Sequence, residues 1–185
     1  CFWGAFILLN SFLLFYLIDV VRLEQVAAQR FLARIFTMLG GAIAVVTLPS
    51  GWVVDRWGRR PLVLASSVIA GIGAPVLMAA RSLPWLTVAA VIIGVGIGTF
   101  MTASWALVTD IVPRDHAARY LGIANMAAAG GSSLARLAGG TLIDPLNRLL
   151  PGHAGGYLVA FGLATASFWL SALAATRLPI ESAPP

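Results

Sequence analysis

The chain has 185 residues, of which 59% are hydrophobic and only 10% are charged, and its mean hydropathy is +0.91. Soluble domains carry about 25% charged residues, so this composition excludes an ordinary soluble protein and indicates that lipid surrounds most of the chain. The net charge of +5 comes from twelve arginines and seven acidic residues. The arginines stand mostly at the ends of apolar stretches, which argues against a nucleic-acid-binding face.

Charged residues divide the chain into six apolar stretches. Each is near the length of about 20 residues that a helix needs to cross the hydrocarbon core, and helices satisfy their own backbone hydrogen bonds there. The chain is therefore predicted to be an all-α membrane protein, a single bundle of six transmembrane helices over residues 1–185. The predicted spans cover approximately residues 1–19, 33–54, 61–80, 85–109, 118–143 and 156–177.

An even number of spans places both chain ends on one side of the membrane. If that side is the cytoplasm, six arginines lie inside and five outside, in weak agreement with the positive-inside rule. The inner six are Arg56, Arg59, Arg60, Arg114, Arg119 and Arg177, and the outer five are Arg22, Arg30, Arg34, Arg81 and Arg148. We therefore expect a multi-pass protein of a plasma or inner membrane with cytoplasmic ends. The chain begins at Cys1 and not at Met, as expected of a fragment or a processed product.

The fourth predicted span contains Gly94, Gly96 and Gly98. Their spacing resembles a dinucleotide-binding fingerprint only superficially, because no strand precedes them. Gly94 and Gly98 instead predict a face of small residues for close helix packing. The run AAAGGSS at residues 127–133 predicts a similar face on the fifth span, and it would also let that helix slide against a neighbour.

The densest charge in the chain lies in residues 51–60, with the sequence GWVVDRWGRR, and we call these residues the charged loop. Asp55 ends the second span, Gly58 permits a tight reversal, and Pro61 suits the start of the next helix. Two interpretations remain open. The carboxylate of Asp55 pairs with the arginines as a latch, or the arginines anchor the helices at lipid headgroups and Asp55 merely neutralises one of them.

The charged loop resembles a signature of the major facilitator superfamily, G-x-x-x-D-R-x-G-R-R/K, at the same spacing. The matching residues are Gly51, Asp55, Arg56, Gly58, Arg59 and Arg60. In that family the signature joins the second and third helices of a six-helix half, which is its place here. Residues 105–125 (WALVTDIVPRDHAARYLGIAN) resemble the family's link between its tenth and eleventh helices. The whole chain thus resembles helices seven to twelve of a major facilitator transporter.

This resemblance implies secondary transport of a small solute by alternating access, in which two six-helix halves, each built from inverted three-helix repeats, rock about a central site. It also implies that Asp55, Arg59 and Asp110 form a charge cluster that holds the cytoplasmic side closed. The implied partners are a small-molecule substrate, the lipid bilayer and an N-terminal six-helix half, which residues 1–185 lack. That half belongs to the same polypeptide, or a second copy takes its place. The substrate, the coupling ion and the direction of transport are not implied.

By the same resemblance, the first and fourth spans line the substrate cavity, the second and fifth face the other half, and the third and sixth face lipid. The candidate cavity residues are Asn10, Thr102, Trp105, Asn125 and Arg136. Alternatively, the two asparagines join helices by hydrogen bonds, and Trp105 packs within the bundle. Arg136 follows Arg119 by about 25 Å of helix, so it either reaches the outer headgroups or meets a substrate anion or a gating partner near the outer mouth.

No catalytic, cofactor-binding or metal-binding pattern is found, so the chain is predicted not to be an enzyme and to bind neither a cofactor nor a metal. A lone Cys1 excludes a cysteine metal site, and His116 and His153 fall in predicted loops. The acids Asp19, Asp55, Asp110, Asp144 and Glu181 fall at span ends or beyond, so none indicates proton coupling within the membrane. Two alternatives to a transporter half are a six-helix scaffold or sensor and a native half-size protein that homodimerises.

Overall fold

The computed structural model describes residues 1–111, 117–149 and 155–177, and these residues form six α-helices. In chain order, α1 is Phe2–Asp19, α2 is Gln25–Trp57, α3 is Arg59–Ala79, α4 is Leu83–Ile111, α5 is Ala117–Leu149 and α6 is Gly155–Ala175. No strand occurs in the described ranges. The predicted all-α fold class is therefore confirmed.

Five helices are long and apolar enough to cross a membrane, as judged over the residues described: α1, α2, α3, most of α4 and α6. The exception is α5, which has ample length at 33 residues. Its composition is dominated by glycine and alanine and is interrupted by Arg119 and Arg136, so it is less apolar than its neighbours. The crossing at residues 118–143 therefore stays a prediction.

Two helices extend beyond their predicted spans. The helix α2 begins at Gln25 and not near residue 33. Its first two turns lie before the predicted span and carry Arg30, which is exposed. Similarly, α5 continues through Pro145 to Leu149 and does not end near residue 143. Charged residues indicate where the hydrocarbon core ends, but a hydrogen-bonded helix can continue into the headgroup region, because its backbone groups are satisfied internally.

Packing places α4 between α2 and α3, while α6 contacts α1, α3 and α5, and α1 also contacts α5. The largest fully buried side chains lie on these inner surfaces and include Tyr16, Leu17, Leu86, Phe161 and Phe168. By contrast, α2 and α5 stand at the edges of the bundle and expose large apolar groups. Leu48 on α2 is 83% exposed and Met126 on α5 is 75% exposed.

Glycines on α4 allow it to approach both of its neighbours closely. A methyl group added at Gly94 would lie 2.9 Å from the backbone oxygen of Leu39, and one at Gly98 would lie 2.5 Å from Cγ1 of Val46, both on α2. A methyl group at Gly96 would instead meet the backbone of α3 at 2.9 Å. The predicted packing face of Gly94 and Gly98 is confirmed, and Gly96 extends the close contact to the other side of the helix.

Small residues also bring α5 against α1. A methyl group added at Gly4 would lie 3.1 Å from the backbone oxygen of Gly131 and 3.5 Å from Cβ of Ala135, and one at Gly139 would overlap Phe12. Gly131, Ala135 and Gly139 recur every four residues, so they share one side of α5. We call them the small-residue ridge, and they face α1.

Hydroxyl groups supply several of the hydrogen bonds between helices. The Ser50 hydroxyl donates to Oγ1 of Thr99 across 3.3 Å between α2 and α4. A hydroxyl within hydrocarbon requires such a partner, since no water is present there. Ser67 on α3 bonds to Ser171 on α6 at 3.1 Å, and Tyr16 on α1 donates to the Ala80 carbonyl at the end of α3 at 3.1 Å. Tyr157 on α6 donates to the Asp19 carboxylate on α1.

The substitution Gly98→Ala is expected to lower the free energy of unfolding by about 1–3 kcal/mol, the usual cost of overpacking a close contact. The added methyl group would press on the backbone of α2. Thermal unfolding in detergent, followed by circular dichroism, measures the effect. The control is Gly162→Ala on α6, where an added methyl group meets no atom within 4 Å. Equal melting temperatures for the two variants would contradict the close α2–α4 contact.

Candidate site: the charged loop and the exposed face of α5

The charged loop reverses the chain at Gly58. This residue has φ +84° and ψ 166°, a conformation that is essentially restricted to glycine. Its N–H donates to the carbonyl of Val54 across 3.0 Å and so closes α2. The next residue, Arg59, already begins α3. The predicted reversal at Gly58 is confirmed, and it places Asp55 and Arg59 on adjoining helix ends.

Arg60 is bound within its own bundle. Its Nε–H donates to the carbonyl of Ala175 across 3.1 Å, and its terminal nitrogen donates to the carbonyl of Thr176. The last carbonyls of a helix have no partner inside the helix, and a cation stabilises that negative end. Arg60 therefore caps α6, a role that sequence reasoning did not assign to it.

Arg56 lies against an aromatic ring. Its guanidinium carbon is 4.5 Å from the centre of the Trp52 ring, a cation–π distance. Trp52 is itself 60% exposed at the end of α2. An arginine and a tryptophan that point outward together at a helix end are typical of headgroup anchors, so this geometry favours the anchor interpretation for Arg56.

The three residues of the implied charge cluster each lie in the terminal turn of a helix. Asp55 is exposed in the last turn of α2, and Arg59 is half-buried at the start of α3. Asp110 lies in the last turn of α4, but its side chain is outside the described part. The Asp55 carboxylate makes no ion pair with any side chain that is described. The closing cluster therefore stays a prediction.

A small apolar cluster beneath the charged loop fixes these helix ends. Its buried members come from α2, α3, α4 and α6 and are Val54, Leu62, Val63, Ala103 and Ala175. Val54 accepts the hydrogen bond from Gly58, and Ala175 accepts one from Arg60. The polar contacts of the charged loop thus rest directly on packed side chains, which holds Asp55 in a defined place at the rim.

Two candidate cavity residues, Asn125 and Arg136, lie on one side of α5. They are 11 residues apart, which is close to three turns, so they form one stripe about 16 Å long. Both are exposed. Ser132 lies between them, and its hydroxyl donates to the carbonyl of Ala128 across 2.8 Å. The structure therefore brings these two predicted residues onto a common polar stripe.

Arg136 lies further from a helix end than the sequence predicted. The interpretation as a headgroup anchor assumed that the fifth span ends near residue 143, but α5 continues to Leu149. Arg136 is therefore about 20 Å from the end of its helix. The end of a helix does not mark the edge of the hydrocarbon core, so the headgroup anchor and the contact with a substrate anion or gating partner both stay predictions.

The remaining cavity candidates lie on α1 and α4. Asn10 is half-buried, and Trp105 is 48% exposed. The hydroxyl of Thr102 donates to the carbonyl of Gly98 in its own helix across 3.0 Å. In the described ranges neither Asn10 nor Asn125 hydrogen-bonds to another helix, so the structure does not support the alternative that the asparagines join helices.

An aromatic cluster that sequence reasoning missed lies where α1 meets α4. Phe2 stacks on Phe100, with ring centres 3.8 Å apart and planes 2° apart. Trp3 lies edge-on to Phe100 and to Phe6, at 6.4 Å and 6.3 Å. Aromatic residues at positions i, i+1 and i+4 of α1 were the available signal. The cluster joins the two helices that the resemblance assigned to the cavity.

The described residues contain no group of three or more His, Cys, Asp and Glu side chains that could hold a metal ion. His116, His153 and Glu181 lie outside the described residues, and so does the side chain of Asp144.

Comparison with known proteins identifies relatives of one functional class. The pattern of the Major Facilitator Superfamily matches residues 1–185. The minor myo-inositol transporter IolF of Bacillus subtilis is 30% identical over 48% of this chain and 20% of its own length. Solute carrier family 2, facilitated glucose transporter member 10 of Xenopus tropicalis is 36% identical over 43% of this chain and 14% of its own. The vacuolar membrane amino acid uptake transporter fnx2 of Schizosaccharomyces pombe is 37% identical over 51% of this chain and 16% of its own.

A similar fold occurs in the crystal structure of an auto-inhibited POT family peptide transporter. The TM-score is 0.67 at 20% identity, and the match covers the whole of this chain but 37% of that one. At this identity the likeness shows the fold alone. The chain matches no more than a fifth of the length of the three curated relatives described above.

The substitution Arg60→Ala is expected to loosen the last turn of α6. Loss of the cationic cap should cost about 1 kcal/mol locally, so backbone amides near residue 176 should exchange with deuterium about fivefold faster. Hydrogen exchange with mass spectrometry measures this. The control is Arg56→Ala, because Arg56 contacts Trp52 and not α6. Unchanged exchange in Arg60→Ala would contradict the capping role.

Proposed function

The chain belongs to the Major Facilitator Superfamily, and from this premise we propose that it forms one six-helix half of a secondary transporter. The transporter moves a small polar solute across a membrane by alternating access, and its activity is transport rather than catalysis. The second half is an N-terminal six-helix bundle of the same polypeptide, or else a second copy of this chain. Both chain ends lie in the cytoplasm at a plasma or inner membrane.

One observation carries the proposal, which is the polar stripe on the exposed side of α5. Asn125 and Arg136 would be costly if they faced hydrocarbon, and they have no partner on another helix among the described residues. The exposed side of α6 is different, because it carries Trp169, Leu170 and Leu173 and suits lipid. The stripe on α5 therefore requires a polar neighbour, and an aqueous cavity between two halves supplies one.

The exposed sides of α2 and α5 also support the presence of a second half, because they offer surfaces on which it could pack. Both helices run for 33 residues at the edges of the bundle. The exposed carboxylate of Asp55 stands at one end of α2, where the positive end of a helix in the other half could meet it. Such a contact contributes about 0.3–1 kcal/mol. This energy suits a switch, since two states that interconvert differ by only a few kcal/mol.

The substrate class follows from the groups on the stripe. An amide and a guanidinium favour a solute that carries hydroxyl or carboxylate groups, and the exposed Trp105 offers a flat surface for its less polar side. The relatives bear names of myo-inositol, glucose and amino acid transporters, and all of these solutes carry such groups. We place the substrate in this class of small polar solutes.

The substitution Arg136→Gln is expected to reduce solute uptake at least tenfold. Hydrogen bonds to a charged group contribute about 1.5–3 kcal/mol, and 1.4 kcal/mol corresponds to a factor of ten. Uptake of labelled myo-inositol, glucose and alanine by proteoliposomes that contain the full-length polypeptide measures the effect. The control is Arg148→Gln near the end of α5. A parent protein that transports no small polar solute would contradict the proposed function, whereas equal uptake by both variants would contradict only the role of Arg136.

The substitution Asp55→Asn is expected to shift the transporter toward its cytoplasm-open state and to slow uptake. The lost charge contact of about 0.3–1 kcal/mol corresponds to a shift of about two- to fivefold in population. A cysteine placed at Thr102 should react correspondingly faster with a membrane-impermeant maleimide added at the cytoplasmic side. The control is Glu24→Gln, an exposed acid just before α2. Equal reaction rates in Asp55→Asn and the parent would refute the latch.

A further inference from the structure

A cavity of about 510 Å³ lies where α3 turns into α4, at the opposite end of these helices from the charged loop. It is lined by Val76, Ala79, Ala80, Arg81, Ser82 and Trp85. None of these residues belongs to the polar stripe, the charged loop or the aromatic cluster. The cavity therefore needs an explanation of its own.

The wall of this cavity is held in place by α1. The Tyr16 hydroxyl donates to the carbonyl of Ala80 across 3.1 Å and lies 3.4 Å from the carbonyl of Met78. These are carbonyls at the C-terminal end of α3, which have no partner within the helix. Tyr16 is fully buried, so the turn that carries Arg81 is fixed to the core of the bundle.

The lining combines one cation with an apolar surface. Arg81 is exposed, and its guanidinium forms no hydrogen bond or ion pair with the part of the chain that the structure describes. Ser82 offers a hydroxyl beside it, just before α4 begins. Val76 and Ala79, in the last turn of α3, form the apolar side, and Trp85 is 61% exposed. A charged rim above an apolar wall matches an amphipathic ligand.

We propose that this cavity binds an anionic phospholipid. Its phosphate lies against Arg81 and Ser82, and its glycerol and upper acyl chain lie on Val76, Ala79 and Trp85. Since α3 and α4 both have the length and composition of membrane spans, the turn between them lies at the headgroup level. The six lining residues include no carboxylate, so they offer no ion pair to the ammonium group of a choline or ethanolamine headgroup. Charge complementarity thus selects the anionic headgroup.

The test is native mass spectrometry of the full-length protein released from detergent micelles after addition of phosphatidylglycerol or phosphatidylcholine with the same acyl chains. The parent protein should retain phosphatidylglycerol at least fivefold more than phosphatidylcholine. Arg81→Gln should lower this retention at least fivefold. Arg148→Gln, which removes an exposed arginine near the end of α5, should retain lipid as the parent does.

A second variant tests the apolar wall while leaving the cation in place. Ala79→Trp should fill the cavity and lower retention of phosphatidylglycerol at least threefold, with a circular dichroism spectrum equal to that of the parent. Inorganic phosphate at millimolar concentration should not displace the lipid, because it gains nothing from the apolar wall.

Three results would overturn the proposal. Equal loss in Arg148→Gln would show general attraction of anionic lipid to surface charge. Equal retention of the two lipids by the parent would remove the headgroup selectivity. Displacement of the lipid by inorganic phosphate would show a site for a free anion.

Discussion

The contact between the glycines of α4 and the backbones of α2 and α3 is the constraint on which the rest of the bundle depends. Lipid tails are as apolar as leucine side chains, so the hydrophobic effect does not drive helices together within a membrane. Close packing and a few hydrogen bonds must do so. Gly94 and Gly98 bring α2 close enough for Ser50 to reach Thr99. Gly96 allows α3 to pack equally close on the other side of α4. The ends of α2 and α3, and with them the charged loop, take their positions from this contact.

The charged residues of the loop differ in what they contact. Arg60 caps α6, and Arg56 lies on Trp52. Gly58 supplies a conformation that other residues adopt only with strain. Asp55 is exposed as well, and its carboxylate forms no ion pair with any described side chain. A sequence signature that looks like one functional unit therefore combines residues that hold the helix ends together with a carboxylate that is exposed.

Polar side chains within the membrane-spanning helices also differ in whether they have a partner inside the bundle. Hydroxyls satisfy one another or a nearby carbonyl, as Ser67 and Ser171 do between α3 and α6. Asn125 and Arg136 are exposed and have no hydrogen-bond partner on another helix among the described residues, and they lie to one side of the small-residue ridge that packs on α1. The cavity at Arg81 extends this reasoning to the membrane surface, where a fixed cation beside an apolar wall suits the amphipathic lipid that surrounds it.

The sequence by itself determined the helical class, the number of helices, the reversal at Gly58 and the packing face of Gly94 and Gly98. These features are local, because composition, charge and residue spacing act within one helix or one turn. Only the tertiary structure decided that Arg60 caps α6, that Phe2 stacks on Phe100 and that a cavity opens beside Arg81. Each of these depends on the rotation and depth of one helix relative to another. Those two quantities arise from side-chain packing between residues distant in the chain, which the spacing within a single helix does not contain.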